Sequence, residues 1–500
     1  MSTPYPVKLP PGMYANGTPY EAKGRWRTGN LVRWVEGRLR PVGGWSRLTP
    51  APMDGVPRGL HAWSGLQAQR RVGIGTNTKL YAFDQNSLFD ITPVGFVPGR
   101  EVSIYGLGYG ANLYGREAYG TIRSGSGLVL DASTWQLDNF GDLLVACATS
   151  DGKIYQWPNP ANPAIPCPNS PTGCRGVFVT DERFLVAIGA GGDPRRIAWA
   201  SQETIDTWAA ATGNSAGGFN LQSNGIAVSS LKLRGQTLIF TTTDVHSFRF
   251  VGAPFFYGRE RVGSSCGIVG PNAKASIDSR AVWMSYNNFY IYDGSVQALP
   301  CDVWDAVFPN FNVLQGAQVY GGTNADFGEV WFFYPSANST ICDSYVVWNY
   351  KYNFWFTGQM QRNAWVDREV WPNPLAADEG GHLWQHETGW LDNGQTRVPS
   401  VYVTSGPIEL GNGEQFLDVD QAIPATTNPT SLQVSFGLQR TPDDSSFGAT
   451  AGPYPLGARS DGYVDMRFSA RQATMTVQAA ADTDWTFGPL RLLAEPGSGR

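Results

Sequence analysis

Four histidines and a scatter of carboxylates are the residues in this chain that could do chemistry, and their spacing decides little in favour of catalysis. His382 and His386 stand four apart with Glu387 next. On a helix that spacing would aim two imidazoles at one metal ion, but the order is not His-Glu-x-x-His. The surrounding Gly380-Gly-His-Leu-Trp-Gln-His-Glu387 reads as a strand. The expectation is therefore a solvated histidine pair on one strand face. The other two histidines, His61 and His246, are isolated in sequence. Asp278, Asp293, Asp302 and Asp305 could pair for glycoside hydrolysis, which needs two carboxyl groups flanking the scissile bond. Nothing in the sequence fixes their separation, and Asp293-Gly294 is itself a turn signal. Thr441-Pro-Asp-Asp-Ser-Ser-Phe-Gly448 has the look of the acidic turn of sialidase repeats but occurs once, so a plain hairpin turn is expected there. Phosphate-binding loops, nucleophile elbows and dinucleotide fingerprints are missing from the sequence. No catalytic, cofactor-binding or metal-ligating residue is assigned, and an enzyme is not expected.

Cysteine usage points the same way. Six Cys in 500 residues is sparse. Cys167 and Cys174 flank a loop, Pro168-Asn-Ser-Pro-Thr-Gly173, short enough for a bridge to be possible. Residues 1–11 have neither a charged start nor an apolar core, so no secretion signal is expected and reduced thiols are. No run of eighteen apolar residues predicts a membrane span. The formal charge is -5, and of 37 basic residues only seven are Lys, which argues against tight phosphate-driven nucleic-acid binding. The arginines are scattered as Arg70-Arg71, Arg195-Arg196, Arg259 and Arg261, suited to ion pairs or interface contacts.

The elements that must position these residues read as β-strands. The chain has 59 Gly and 34 Pro, about a fifth of its length, and charged residues are only 16%. That composition excludes a coiled coil, and the 13% aromatic content excludes a disordered chain. Turn residues punctuate short runs of Val, Ile, Phe, Tyr and Trp throughout, the pattern of an all-β protein. The best helical signal is short, Ser201 to Ala211, opened by a Ser cap.

One pattern repeats, an aromatic-rich strand of about six residues. Its copies begin at Lys79, Lys153, Arg196, Val245, Phe289, Ser344 and His382, spaced 74, 43, 49, 44, 55 and 38 residues apart. Most of these intervals match a four-stranded propeller blade. Within copies a second apolar strand precedes a tight turn, as in Leu143–Ala148, then Asp151-Gly152, then Lys153–Trp157. Residues 55–405 are thus expected to form a β-propeller of six or seven blades. The long first interval holds a Tyr/Gly-rich insertion at about 99–122, which either folds back on a blade or protrudes as a contact loop. Strict alternation then appears in Leu432, Val434, Phe436 and Leu438, in Val464, Met466 and Phe468, and in Ala473, Met475, Val477 and Ala479. One buried face and one wet face predict an antiparallel β-sandwich over 406–500, including a short tail from Gly497. Residues 1–54, rich in Pro, Gly and Arg, are too few for their own core and are expected to pack as an arm on the propeller or on a neighbour.

A set of segments carries a family resemblance. Asn220–Val228, Leu238–Asp244, Val251–Gly258, Ser265–Pro271, Val282–Ser285 and Phe289–Gly294 resemble the tail hub or nozzle proteins of short-tailed bacteriophages, a group that includes packaged-DNA stabilisation proteins. The opening from Pro10 to Trp45 is similar in character, so the resemblance spans about 10–370. It implies a non-enzymatic propeller subunit, assembled in the host cytoplasm into a homohexameric ring of the virion tail. Such a ring sits beneath the portal and adaptor, helps retain packaged DNA, anchors fibres or spikes, and passes double-stranded DNA during ejection. A propeller's own axis is too narrow for a duplex, so the DNA would pass between subunits along a lumen expected to be neutral or acidic. The alternative expectation is a virion propeller that binds or hydrolyses host-surface glycan.

Overall fold

The computed structural model describes residues 3–108, 123–158, 162–409, 416–439 and 449–497. Seven four-stranded antiparallel sheets follow one another along the chain. The first six occupy residues 57–90, 135–166, 176–220, 227–264, 274–299 and 320–359. The seventh combines Ala364–Val366, Leu375–Ala377 and Leu383–His386 with Trp45–Arg47 from the other end of the chain. The first strand of each sheet packs against the first strand of the next, and the seventh returns to the first. That closed circuit makes the fold a seven-bladed β-propeller. Each of the seven aromatic repeats found in the sequence is the third strand of a blade.

Large aromatics fill the spaces between blades. Trp135, Trp157, Trp283, Trp331 and Trp355 are all fully buried. Burying side chains of this size contributes a few kcal/mol each. Their fit is close: Gly75 lies so near Trp135 that a Cβ there would fall 2.2 Å from the indole. The Trp135 indole N–H also donates to the carbonyl of Thr76 at 2.7 Å, tying blade 2 to blade 1.

The C-terminal region forms the β-sandwich. One sheet runs Val32–Val35, Arg38–Pro41, Thr486–Pro496, Leu417–Thr427 and Val464–Ala470, with Thr3–Val7 added on Thr486–Pro496. The other runs Trp26–Asn30, Tyr402–Ser405, Gln472–Ala479, Leu432–Gln439 and Ala449–Pro455. The alternating residues read from the sequence form its interior, and Phe436 stacks on Phe468 across the two sheets at 4.5 Å. Residues 1–54 thus supply strands to both sandwich sheets and to blade 7. The Tyr/Gly-rich insertion leaves the ring between blades 1 and 2 as an antiparallel pair, Ile104–Gly108 with Arg123–Leu130. Its repeat from 109 to 122, like Thr441–Gly448, lies outside the described residues.

The expected helix at Ser201–Ala211 is absent; the segment is a series of turns. Glu203 adopts φ of 61°, a left-handed conformation that stops helix propagation. The Ser201 N–H donates instead to the Thr207 carbonyl at 2.8 Å, and Ile205 and Trp208 lean on the apolar cluster of blades 2 and 3. Eleven residues with one such anchor pair bury too little to sustain a helix.

Candidate functional site at the propeller axis

The first strands of the blades form the inner circuit around the axis, and connectors that lead into several of them surround one mouth of it. Between them lies a pocket of about 750 Å³. Its wall mixes apolar side chains such as Ile226, Ile268 and Leu314 with Arg100, Asp131, Asp151 and Arg175. Tyr105, Val129 and Leu130, from the stem of the Tyr/Gly-rich hairpin, border the same pocket. Burial raises the Asp131 carboxyl above its ordinary value, with Arg175 pulling the other way. The Tyr155 hydroxyl donates to Asp151, and burial together with that bond pushes the phenol up.

Further in, the axis is filled by polar side chains that reach across it. Gln136 of blade 2 donates to Asn272 at the entry to blade 5 at 3.0 Å, and Asn272 donates to the Arg58 carbonyl of blade 1 at 3.0 Å. Ser229 of blade 4 donates to the Pro271 carbonyl at 2.6 Å, and the Lys274 amine hydrogen-bonds Ser229 and Gln136. One layer deeper, Lys232 of blade 4 pairs with Asp138 of blade 2 at 2.9 Å, and His61 meets Asn139 at 3.0 Å. Blades 2, 4 and 5 are not all neighbours, so these bonds span the axis and block it. Burial brings the Lys274 amine down to about 7. Burial also opposes the Asp138 carboxylate, but Lys232, His61 and the Val179 N–H outweigh it and hold that carboxyl below its ordinary value. Lys274 is the residue sequence reasoning missed. A lysine inside an apolar strand start, in a chain with only seven, was the available signal.

A second polar cluster joins the sandwich to the propeller. Arg33, on a sandwich strand, lies 3.1 Å from Glu329 of blade 6 and 2.7 Å from Glu387 beyond blade 7. Arg33 and Glu329 have 1% and 0% of their surface exposed. The guanidinium also stacks on Phe327 at 3.8 Å. Burial raises the Glu329 carboxyl to about 7, since one arginine is shared by two carboxylates. Among the described residues Glu329 Oε1 has no hydrogen-bond partner, which a neutral carboxyl oxygen tolerates more readily than an ionised one.

The residues singled out from sequence are dispersed. His382 and His386 do share a strand region, but His386 is 1% exposed rather than solvated. It accepts from Arg362 Nε at 2.8 Å, and burial and nearby arginines hold the imidazole well below its ordinary value and so neutral. The reason is blade closure: Trp45–Arg47 pairs onto Leu383–His386 and covers it. Trp45 is then held between the Arg362 and Arg397 guanidinium groups, each 5.1 Å from its ring, while its N–H donates to Asp392 at 2.6 Å. Asp278 and Asp293 occupy turns of blade 5, and Asp305 accepts from the Gly17 N–H at 2.6 Å. None of Asp278, Asp293, Asp302 and Asp305 lines the axial pocket. Cys167 and Cys174 share an apolar cluster with Cys147, and all three are unbonded, buried thiols pushed up by that burial. Among the described residues no group of three or more His, Cys, Asp or Glu could hold a metal ion, and no helix is long and apolar enough to cross a membrane. Of the scattered arginines, Arg71 pairs with Asp84 at 3.1 Å, whereas Arg195, Arg259 and Arg261 line a groove on the outer rim.

No protein-family model matches the chain, and no curated protein does. Solved structures that it matches at low similarity include BamB from Moraxella catarrhalis, 13% identical, covering 68% of this chain and 99% of that one with a TM-score of 0.34. A fungal alcohol oxidase of the AA5 family, in complex with copper, is 11% identical over 97% of this chain and 92% of its own, with a TM-score of 0.37. An exported protein from Bacteroides fragilis is 7% identical over 50% of this chain and 88% of its own, at 0.30.

Proposed function

We propose that this chain is a structural subunit of a bacteriophage tail, a hub or nozzle protein that closes with five copies of itself into a ring below the portal and adaptor. The observation that carries this reading is the way the chain is bound into one body. Its first fifty residues are strands of both sandwich sheets and of blade 7, so neither part can swing without breaking sheet hydrogen bonds. A conduit wall under the pressure of packaged DNA needs that rigidity. The segments that resemble the tail proteins fall on blades 4 and 5 and their connectors, at the axial mouth and the outer rim.

In this reading the blocked propeller axis is a framework, and duplex DNA runs along the lumen between subunits without sequence-specific contacts. A ring closes only if each subunit carries two different complementary surfaces. Fibres or spikes attach outside. Six chains of 54.4 kDa give about 326 kDa. Native mass measurement of the purified chain, alone and with a portal–adaptor complex, tests this. A ring of that mass, or capture by the complex, is the expected result. A monomer that the complex does not capture refutes it.

The axial pocket favours one alternative, a virion propeller that binds or hydrolyses host glycan, because Asp131 and Asp151 share it with Tyr105 and Tyr286. Release of sugar from host polysaccharide, lost in Asp131→Asn, would support that reading.

A further inference from the structure

The outer rim between blades 3 and 4 carries a groove whose aromatic side chains cluster toward one end and whose arginines cluster toward the other. Its two halves, of about 650 and 700 Å³, meet at Phe219 and Arg259, which line both. One half carries the aromatic side chains: Trp199, Phe219, Phe256 and Tyr257 line it with Pro254 among mixed polar groups, and Phe255 stands at its edge with 77% of its surface exposed. The other half is cationic: Arg195, Arg259 and Arg261 face it together with the amides of Asn220, Gln222 and Asn224. None of these three arginines has a carboxylate within ion-pair distance among the described residues. In contrast, Arg249 on the same hairpin is paired with Glu260 at 2.8 Å. Arg259 is held over the Phe219 ring at 4.5 Å, which orders its guanidinium and leaves its N–H edge free for an acceptor.

The backbone of the groove adds a third feature. Its sides are the outermost strands of their blades, Gly217–Asn220 and Phe256–Ser264, and among the described residues each has one edge without a strand partner. Unpaired strand edges accept an extended chain by main-chain hydrogen bonds, with side-chain pockets giving specificity.

We propose that this groove is a docking site for an extended, acidic polypeptide segment of a partner protein, with an apolar or aromatic residue seated beside Phe255 and carboxylates on Arg195, Arg259 and Arg261. Charge complementarity selects that occupant: three guanidinium groups without a carboxylate in ion-pair distance among the described residues call for carboxylates, and the exposed Phe255 beside Trp199 and Phe219 offers a seat for an apolar side chain. The groove stands on its own geometry and does not depend on the tail assignment.

The test uses the full chain and a fluorescein-labelled peptide with a Leu-Phe pair followed by an alternating Asp/Glu and Ser/Val stretch, read by anisotropy. A control peptide carries Lys in place of each acid. The acidic peptide is expected to bind and the Lys peptide not to. Arg259→Ala with Arg261→Ala should weaken binding by about tenfold or more. Phe255→Ser should weaken it independently. All three positions are exposed, so unchanged melting temperatures establish that the variants fold. Absence of binding, equal binding of the Lys peptide, or unaltered binding by the arginine variant overturns the proposal. So does tighter binding of a thymidine oligonucleotide of equal charge, which would make the groove a nucleic-acid surface. Self-association of the chain that the arginine variant abolishes would make a second copy the occupant and also overturn it.

Discussion

Replacing Glu329 with Gln should remove a defined part of the protein's pH-dependent stability. Glu329 is fully buried, shares Arg33 with Glu387, and has its carboxyl raised from 4.5 to about 7. Between those two values the folded state holds a proton on Glu329 that the unfolded chain releases. Stability from this group is therefore complete below about pH 4.5 and is lost as pH rises to about 7. A shift of about 2.5 units corresponds to about 3 kcal/mol. A chain of this length unfolding as one unit gains about 1 kcal/mol per kelvin in unfolding entropy, so the loss amounts to about 3 °C in melting temperature. In Glu329→Gln the amide retains an acceptor for the Trp331 indole N–H, now 3.0 Å from Glu329 Oε2, and no proton is exchanged. Melting temperatures of the two proteins, measured by circular dichroism from about pH 5 to about pH 8, should converge at the acid end. They should separate by about 3 °C at the alkaline end, the variant being the more stable. Every other titrating group is common to both, so the difference profile isolates Glu329. Parallel profiles would refute the reasoning, and would mean that Arg33 keeps both carboxylates ionised.

Lys274→Met should raise the melting temperature near neutral pH, because the buried amine, lowered from 10.5 to about 7, costs stability wherever the unfolded chain would hold its proton. That gain should fade as pH rises toward 10.5, and a constant offset across the range in thermal melts would contradict it. Trp45→Ala removes the indole between Arg362 and Arg397 and should cost about 3–5 kcal/mol by chemical denaturation. It should also expose the N-terminal segment to protease before the rest of the chain, and equal protection of that segment in variant and wild type would show that blade 7 closes without it.

The repeating units and their type were legible in local patterns along the chain. Alternation and turn chemistry are local, so the third strands of all seven blades, and the apolar faces of Leu432–Gln439, Val464–Ala470 and Gln472–Ala479, could be read residue by residue. Strands of this kind need only their neighbours in the chain to declare which side is buried. Whatever depends on distant pairing emerged only with the folded ring. Trp45–Arg47 looked like part of an irregular arm until Leu383–His386 required a fourth strand, and that partnership turned His386 from a solvated imidazole into a buried neutral acceptor. Arg33, Glu329 and Glu387 carry no shared motif; closure of the ring and docking of the sandwich bring them together, and burial then sets their charge. The same holds at the axis, where Asp138 and Lys232 meet only because a seven-membered circuit of first strands brings blade 2 to face blade 4. Ring closure converts residues far apart along the chain into contacts, and no local pattern encodes a contact whose existence depends on the whole circuit.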